Sequence, residues 1–202
     1  LRPQALFFVG GVRSGKSGLA QRWVEGRARR RLYLATCRAE DAEMAARVAR
    51  HQAQRGPGWR CLEACLDPVG ALRAQFPQGP AGRAGSGGPD GERPQAALLD
   101  CVSLWLANLM AQDLDETAIL AKVDALAAVV AAPPCPLAVV SAEVGLGLTP
   151  LSSVGRRFCD LLGLANQRLA AACGTVLLVH CGLPLALKGR VPEELCAPAP
   201  LP

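Results

Sequence analysis

Three observations predict an α/β fold with a mostly parallel sheet covered by helices on both faces. Short apolar runs at residues 6–9, 32–35, 96–99, 137–140 and 176–179 alternate with longer stretches of helical spacing. The first run stops at a glycine-rich turn that leads straight into a helix-compatible segment. The linkers between runs are long enough for right-handed crossovers, which make neighbouring strands parallel and bury both faces of the sheet.

The turn after the first strand reads Gly10-Gly11-Val12-Arg13-Ser14-Gly15-Lys16-Ser17, a phosphate-binding loop. Gly10 and Gly15 can take backbone angles closed to other residues, so successive N–H groups converge on one anion. A helix starting near Lys16 adds its positive end, the Lys16 ammonium reaches the β- and γ-phosphates, and the Ser17 hydroxyl is placed to ligate Mg²⁺. Lys16 is one of three lysines, and it falls where the motif requires it. The fold class is therefore P-loop NTPase-like. Leu19, Ala20, Trp23 and Val24 supply the buried stripe of the helix.

The second strand ends in Ala35-Thr36-Cys37, polar groups at the carboxyl end where α/β ligands sit. A helix is expected over residues 40–55, with acids at its start and arginines toward its end, as the macrodipole favours. Met44, Val48 and His51 share one face of it, and Arg47 lies one turn before His51. Residues 59–63 read as a short extended piece. The stretch 77–94 has the composition of a flexible Gly/Pro-rich loop. Residues 96–100 form a buried strand ending in Asp100, either a solvated strand-end acid or a group beside Mg²⁺. A helical region follows over 104–132, interrupted near 113–115 and stopped by Pro133-Pro134. Strand 137–141, helix 152–173 and strand 175–180 complete the pattern, and His180 at the last strand end reads as structural.

Composition narrows the class further. The 202 residues, half of them hydrophobic, suit one catalytic domain over 1–191, followed by a Pro-rich tail at 192–202 that should not pack as a regular element. The net charge of +5 comes mainly from arginines, and no interleaved aromatics mark a nucleic-acid surface. Nine cysteines without a CxxC pair, and no leader sequence, favour reduced thiols and a cytoplasmic protein. No apolar run approaches the roughly 20 residues of a membrane span. A switch GTPase is disfavoured, because no Asn-Lys-x-Asp motif occurs and the DxxG pattern at Asp160 to Gly163 falls inside a predicted helix.

The blocks Gly10 to Ser17, Tyr33-Leu34-Ala35-Thr36, Glu43 to His51, Trp59 to Glu63, Leu98-Leu99-Asp100-Cys101 with Trp105 to Leu109, Glu143-Val144-Gly145, Asn166 to Ala170, and Gly182-Leu183-Pro184 to Lys188 appear in that order. Together they resemble the bifunctional adenosylcobinamide kinase/adenosylcobinamide-phosphate guanylyltransferase family of cobalamin synthesis, over nearly the whole chain. The resemblance implies two reactions: phosphorylation of the aminopropanol hydroxyl of adenosylcobinamide, using GTP or ATP, and transfer of GMP from GTP to that phosphate. It places the guanylylated histidine at His51, and nucleotide contacts at Ala35, Thr36, Cys37, Gln52, Ala53, Gln54, Arg55, Glu63 and Asp100. It also implies a homo-oligomer, a trimer. Two departures stand out: Ser141-Ala142 precedes Glu143 where relatives carry Thr-Asn, and the 77–94 loop is long.

The residues themselves leave two other readings open. One is a P-loop small-molecule kinase without guanylyl transfer. The other is a non-catalytic nucleotide-dependent regulator or carrier. A GMP adduct on His51 separates the first reading from both.

Overall fold

The computed structural model describes residues 3–37, 55–76 and 93–196. Seven strands build one sheet: β1 (Ala5–Gly10), β2 (Arg31–Ala35), β3 (Trp59–Glu63), β4 (Ala96–Asp100), β5 (Leu137–Ala142), β6 (Thr175–His180) and β7 (Leu183–Lys188). Their spatial order is β3-β2-β4-β5-β1-β6-β7, and every neighbouring pair is parallel except β6 with β7. The mostly parallel sheet expected from the alternating runs is therefore present. The helices are α1 (Lys16–Glu25), α2 (Pro68–Gln75), α3 (Val102–Met110), α4 (Glu116–Ala131), α5 (Ser153–Ala172) and the single turn α6 (Glu193–Cys196).

Alternation along β1 divides the core. Ala5, Phe7 and Val9 face one layer with Trp105, Leu106, Ile119, Val123 and Leu162, whereas Leu6 and Phe8 face the other with Leu19, Trp23 and Val24. All six residues of β1 are buried, which explains why the strand reads as a continuous apolar run. Leu19, Ala20, Trp23 and Val24 are the buried residues of α1, and each large one stabilises the fold by about 1.5–3 kcal/mol.

The interruption expected near 113–115 separates α3 from α4, whose start is capped by Asp115 Oδ1 accepting from the Ala118 N–H. Helix α2 was not anticipated. Asp67 caps it through the Gly70 N–H and Pro68 occupies its first turn, so Asp-Pro was the local signal. The tail expectation needs correction at its start. Residues 193–196 form α6, because Leu195 is fully buried beside Trp23 and Val24, and Glu194 pairs with Arg27. The remainder of the tail, the segment 38–54 and nearly all of the expected 77–94 loop lie outside the described residues. Among the described residues, no helix is long and apolar enough to cross a membrane.

Candidate functional site

Most of the sequence-predicted residues that can be seen lie along the carboxyl edge of the sheet, while Arg55 precedes the start of β3 and reaches the Tyr33 ring with its guanidinium. Strand register puts Glu63, Ala35 and Asp100 side by side on β3, β2 and β4, while Gly10 pairs with Ala142 of β5 and Val179 of β6. This edge is where a parallel α/β sheet offers its ligand crevice.

The phosphate loop takes the expected left-handed turn at Gly15 but not at Gly10, whose φ is not positive and which is required for space instead. Gly15 takes φ 92° at the cap of α1 and Arg13 takes φ 56°. A Cβ on Gly10 would collide with the Val179 carbonyl and sit 2.6 Å from Ser14 Oγ, so only glycine fits there. Gly182 N–H donates to the Ser14 carbonyl at 2.9 Å, bracing the loop from the β6–β7 turn. Gly11 is half-buried, whereas Val12 is exposed. Lys16 Nζ donates to the Gly11 carbonyl at 3.0 Å, and Ser17 lies partly buried in the first turn of α1. Ser14 Oγ is buried and has no hydrogen-bond partner among the described residues.

Asp100 is the second centre. Tyr33 Oη donates to Asp100 Oδ2 at 2.9 Å, and the Arg55 guanidinium lies 3.3 Å from the Tyr33 ring centroid. Burial, reinforced by the Asp100 charge, pushes the Tyr33 phenol above the ordinary tyrosine range, so it stays a neutral donor. Burial, again followed by Asp100, pushes the neighbouring Cys101 thiol up to about 11, which makes it an inert structural thiol at neutral pH. Sequence reasoning gave Tyr33 no role. The signal was its being the chain's single tyrosine, set in an otherwise aliphatic strand.

Thr36 is fully buried, and its hydroxyl both donates to the Cys101 carbonyl and accepts from the Cys101 N–H, each at 2.8 Å. It is thus tied into the scaffold between β2 and β4. Asn108 of α3 holds the same corner, donating to the Thr36 carbonyl at 2.7 Å and the Cys65 carbonyl at 3.0 Å. Cys37 offers its carbonyl to the Cys65 thiol at 3.7 Å, and Glu63 is exposed at the end of the edge strand. His180, read as structural, is exposed at the end of β6. His51, Gln52, Ala53 and Gln54 lie outside the described residues.

The Ser17 hydroxyl and the Asp100 carboxylate are hard oxygen groups of the kind magnesium takes, and Oδ2 of that carboxylate is engaged by Tyr33.

A glycine-rich loop between a buried strand and a helix, with a lysine in the helix's first turn and an oriented acid at another strand end, defines a P-loop nucleotide-binding protein built for phosphate chemistry. The profile of the cobinamide kinase / cobinamide phosphate guanyltransferase family matches residues 6–81 and 86–187. The bifunctional adenosylcobalamin biosynthesis protein CobP of Pseudomonas aeruginosa is 37% identical over 182 residues, 90% of this chain and 96% of that protein. The bifunctional adenosylcobalamin biosynthesis protein CobU of Escherichia coli is 32% identical over 195 residues, 91% of this chain and 99% of that protein; its Salmonella typhimurium counterpart matches to the same extent. The chain belongs to the cobinamide kinase / cobinamide phosphate guanyltransferase family. The resemblance stated from its sequence blocks is borne out.

Proposed function

We propose that this chain phosphorylates adenosylcobinamide with GTP or ATP and then transfers GMP from GTP to the resulting phosphate through His51. The observation that carries the reading is the family match along nearly the whole chain, joined to a phosphate loop of sound geometry. In the first reaction the loop N–H groups and Lys16 bind and orient the triphosphate, and their positive charge offsets negative charge developing on the transferred phosphoryl oxygens. Magnesium, held by Ser17 and Asp100 when bound, would neutralise phosphate charge. Tyr33 keeps Asp100 turned toward that task.

In the second reaction, a neutral His51 nitrogen attacks the α-phosphorus of GTP. The bond to the bridging oxygen breaks, and pyrophosphate leaves with the electron pair. A phosphate oxygen of adenosylcobinamide phosphate then attacks the same phosphorus and frees the imidazole. Arg47, four residues before His51, disfavours the imidazolium and so favours the nucleophilic form. Ala35, Thr36, Cys37, the stretch Gln52-Ala53-Gln54-Arg55, and Glu63 contact the nucleotide. Arg55 serves a phosphate, and Glu63 accepts from guanine N–H groups or a ribose hydroxyl. The protein works in the cytoplasm as a homotrimer.

The test is product analysis. Purified protein supplied with adenosylcobinamide, GTP and Mg²⁺ should accumulate the phosphate and then the GDP-linked corrinoid. Phosphorylation that stops at the first product would support a kinase alone, and corrinoid binding without turnover would support a carrier.

A further inference from the structure

The geometry points to Glu143 as the base that takes the proton from the cobinamide hydroxyl during phosphorylation, an inference that rests on the kinase reading above. Glu143 is the residue that follows β5, the strand lying directly beside β1. Its backbone N–H donates to the Gly10 carbonyl at 3.0 Å, while Lys16 Nζ is anchored on the next carbonyl along, that of Gly11, also at 3.0 Å. The glutamate and the phosphate-loop lysine are therefore fixed to consecutive peptide units of the loop.

The side chain is also oriented. Glu143 Oε1 accepts from the Gly145 N–H at 2.8 Å, which leaves Oε2 as a free acceptor on a half-buried carboxylate. The strand end beneath it is braced by Asn166. Its Oδ1 accepts from Ser141 Oγ at 2.6 Å, and its Nδ2 donates to the Ala142 carbonyl at 3.0 Å. Such preorganisation is what a catalytic acceptor needs.

Competing groups are placed less well. Asp100 stands on β4, two strands from β1, and Glu63 on β3, four strands away. At about 4.8 Å per strand Glu63 lies roughly 19 Å across the sheet from β1, and Asp100 is already assigned to magnesium. Asp100 also has one oxygen engaged by Tyr33. His180 flanks β1 on the other side, but it is exposed and its imidazole makes no hydrogen bond among the described residues.

The step balances. The hydroxyl oxygen bonds to the γ-phosphorus, and the O–H bond breaks with its proton passing to Glu143 Oε2. The bond from the γ-phosphorus to the bridging oxygen breaks, leaving its electron pair on the departing nucleoside diphosphate.

Glu143→Gln, Glu143→Asp and His180→Ala should be compared in two assays: phosphorylation of adenosylcobinamide, and GMP loading of the protein from GTP. In Glu143→Gln the amide oxygen can still accept from Gly145, so the turn is kept. The expected result is a fall of about 100-fold or more in the kcat of phosphorylation, with the KM for nucleotide and the GMP adduct retained. Glu143→Asp should recover part of the rate. Phosphorylation at the wild-type rate in Glu143→Gln would overturn the inference. So would loss of both reactions with the fold intact, which would make Glu143 a support of the loop, or a selective kinase defect found in His180→Ala instead. A wild-type protein that phosphorylates nothing would instead remove the kinase reading on which the inference stands.

Discussion

The Tyr33 hydroxyl donates to Asp100 Oδ2 across the β2–β4 pair, and the face of the same ring carries the Arg55 guanidinium. One aromatic side chain thus joins the acid proposed for magnesium to a residue four positions after His51. Tyr33 is nearly buried, so its ring packing is fixed independently of the hydroxyl.

Tyr33→Phe keeps that packing and removes the donor. Stability should fall by about 1.5–3 kcal/mol, the usual cost of losing a hydrogen bond to a charged acceptor. The concentration of Mg²⁺ needed for half-maximal GTP binding should rise, because Asp100 can then rotate. Urea unfolding and a Mg²⁺ titration of GTP binding by calorimetry read the two effects separately. An unchanged Mg²⁺ dependence would mean that Asp100 acts without its phenol.

Asn108→Ala removes two hydrogen bonds at once, leaving the Thr36 and Cys65 carbonyls without their amide donor. The expected loss is about 2–3 kcal/mol in chemical denaturation, with a raised KM for nucleotide as the corner after β2 and β3 loosens. A neutral effect on both would show that the loops are held by other contacts.

Two adjacent glycines should behave differently. Gly10→Ala forces a methyl into the Val179 carbonyl and Ser14 Oγ, whereas a Cβ on Gly11 meets nothing within 4 Å. Equilibrium binding of GTP should be lost in the first variant and retained in the second. Equal loss in both would show that the collision at Gly10 is not what decides binding.

Much of this was legible in the sequence because it depends on local rules. The phosphate loop, the buried stripe of α1 and the break before α4 follow from glycine placement, helical period and the Asp115 cap. What escaped depends on partners distant in sequence. Tyr33 and Asp100 are 67 residues apart, so their bond is visible only once β2 and β4 pair. Leu195 sits in a proline-rich tail, and its burial beside Trp23 follows from a surface that α1 creates. Strand β7 turns back antiparallel after Gly182, and its alternating Leu183, Leu185 and Leu187 lie on the exposed face, the reverse of the buried stripe that marks a strand in sequence. Thr36 reads as a polar ligand group from its position, yet its hydroxyl is engaged by Cys101.

The central claim is that one chain runs two chemistries, and that only the second needs a nucleophile on the enzyme. The most direct measurement is the intact mass of wild-type and His51→Ala protein after incubation with GTP and Mg²⁺, alongside phosphorylation of adenosylcobinamide by the same samples. The account predicts one added GMP on the wild type, acid-labile and stable to alkali, and none on His51→Ala, which should still form adenosylcobinamide phosphate. A GMP adduct of wild-type yield on His51→Ala would contradict it.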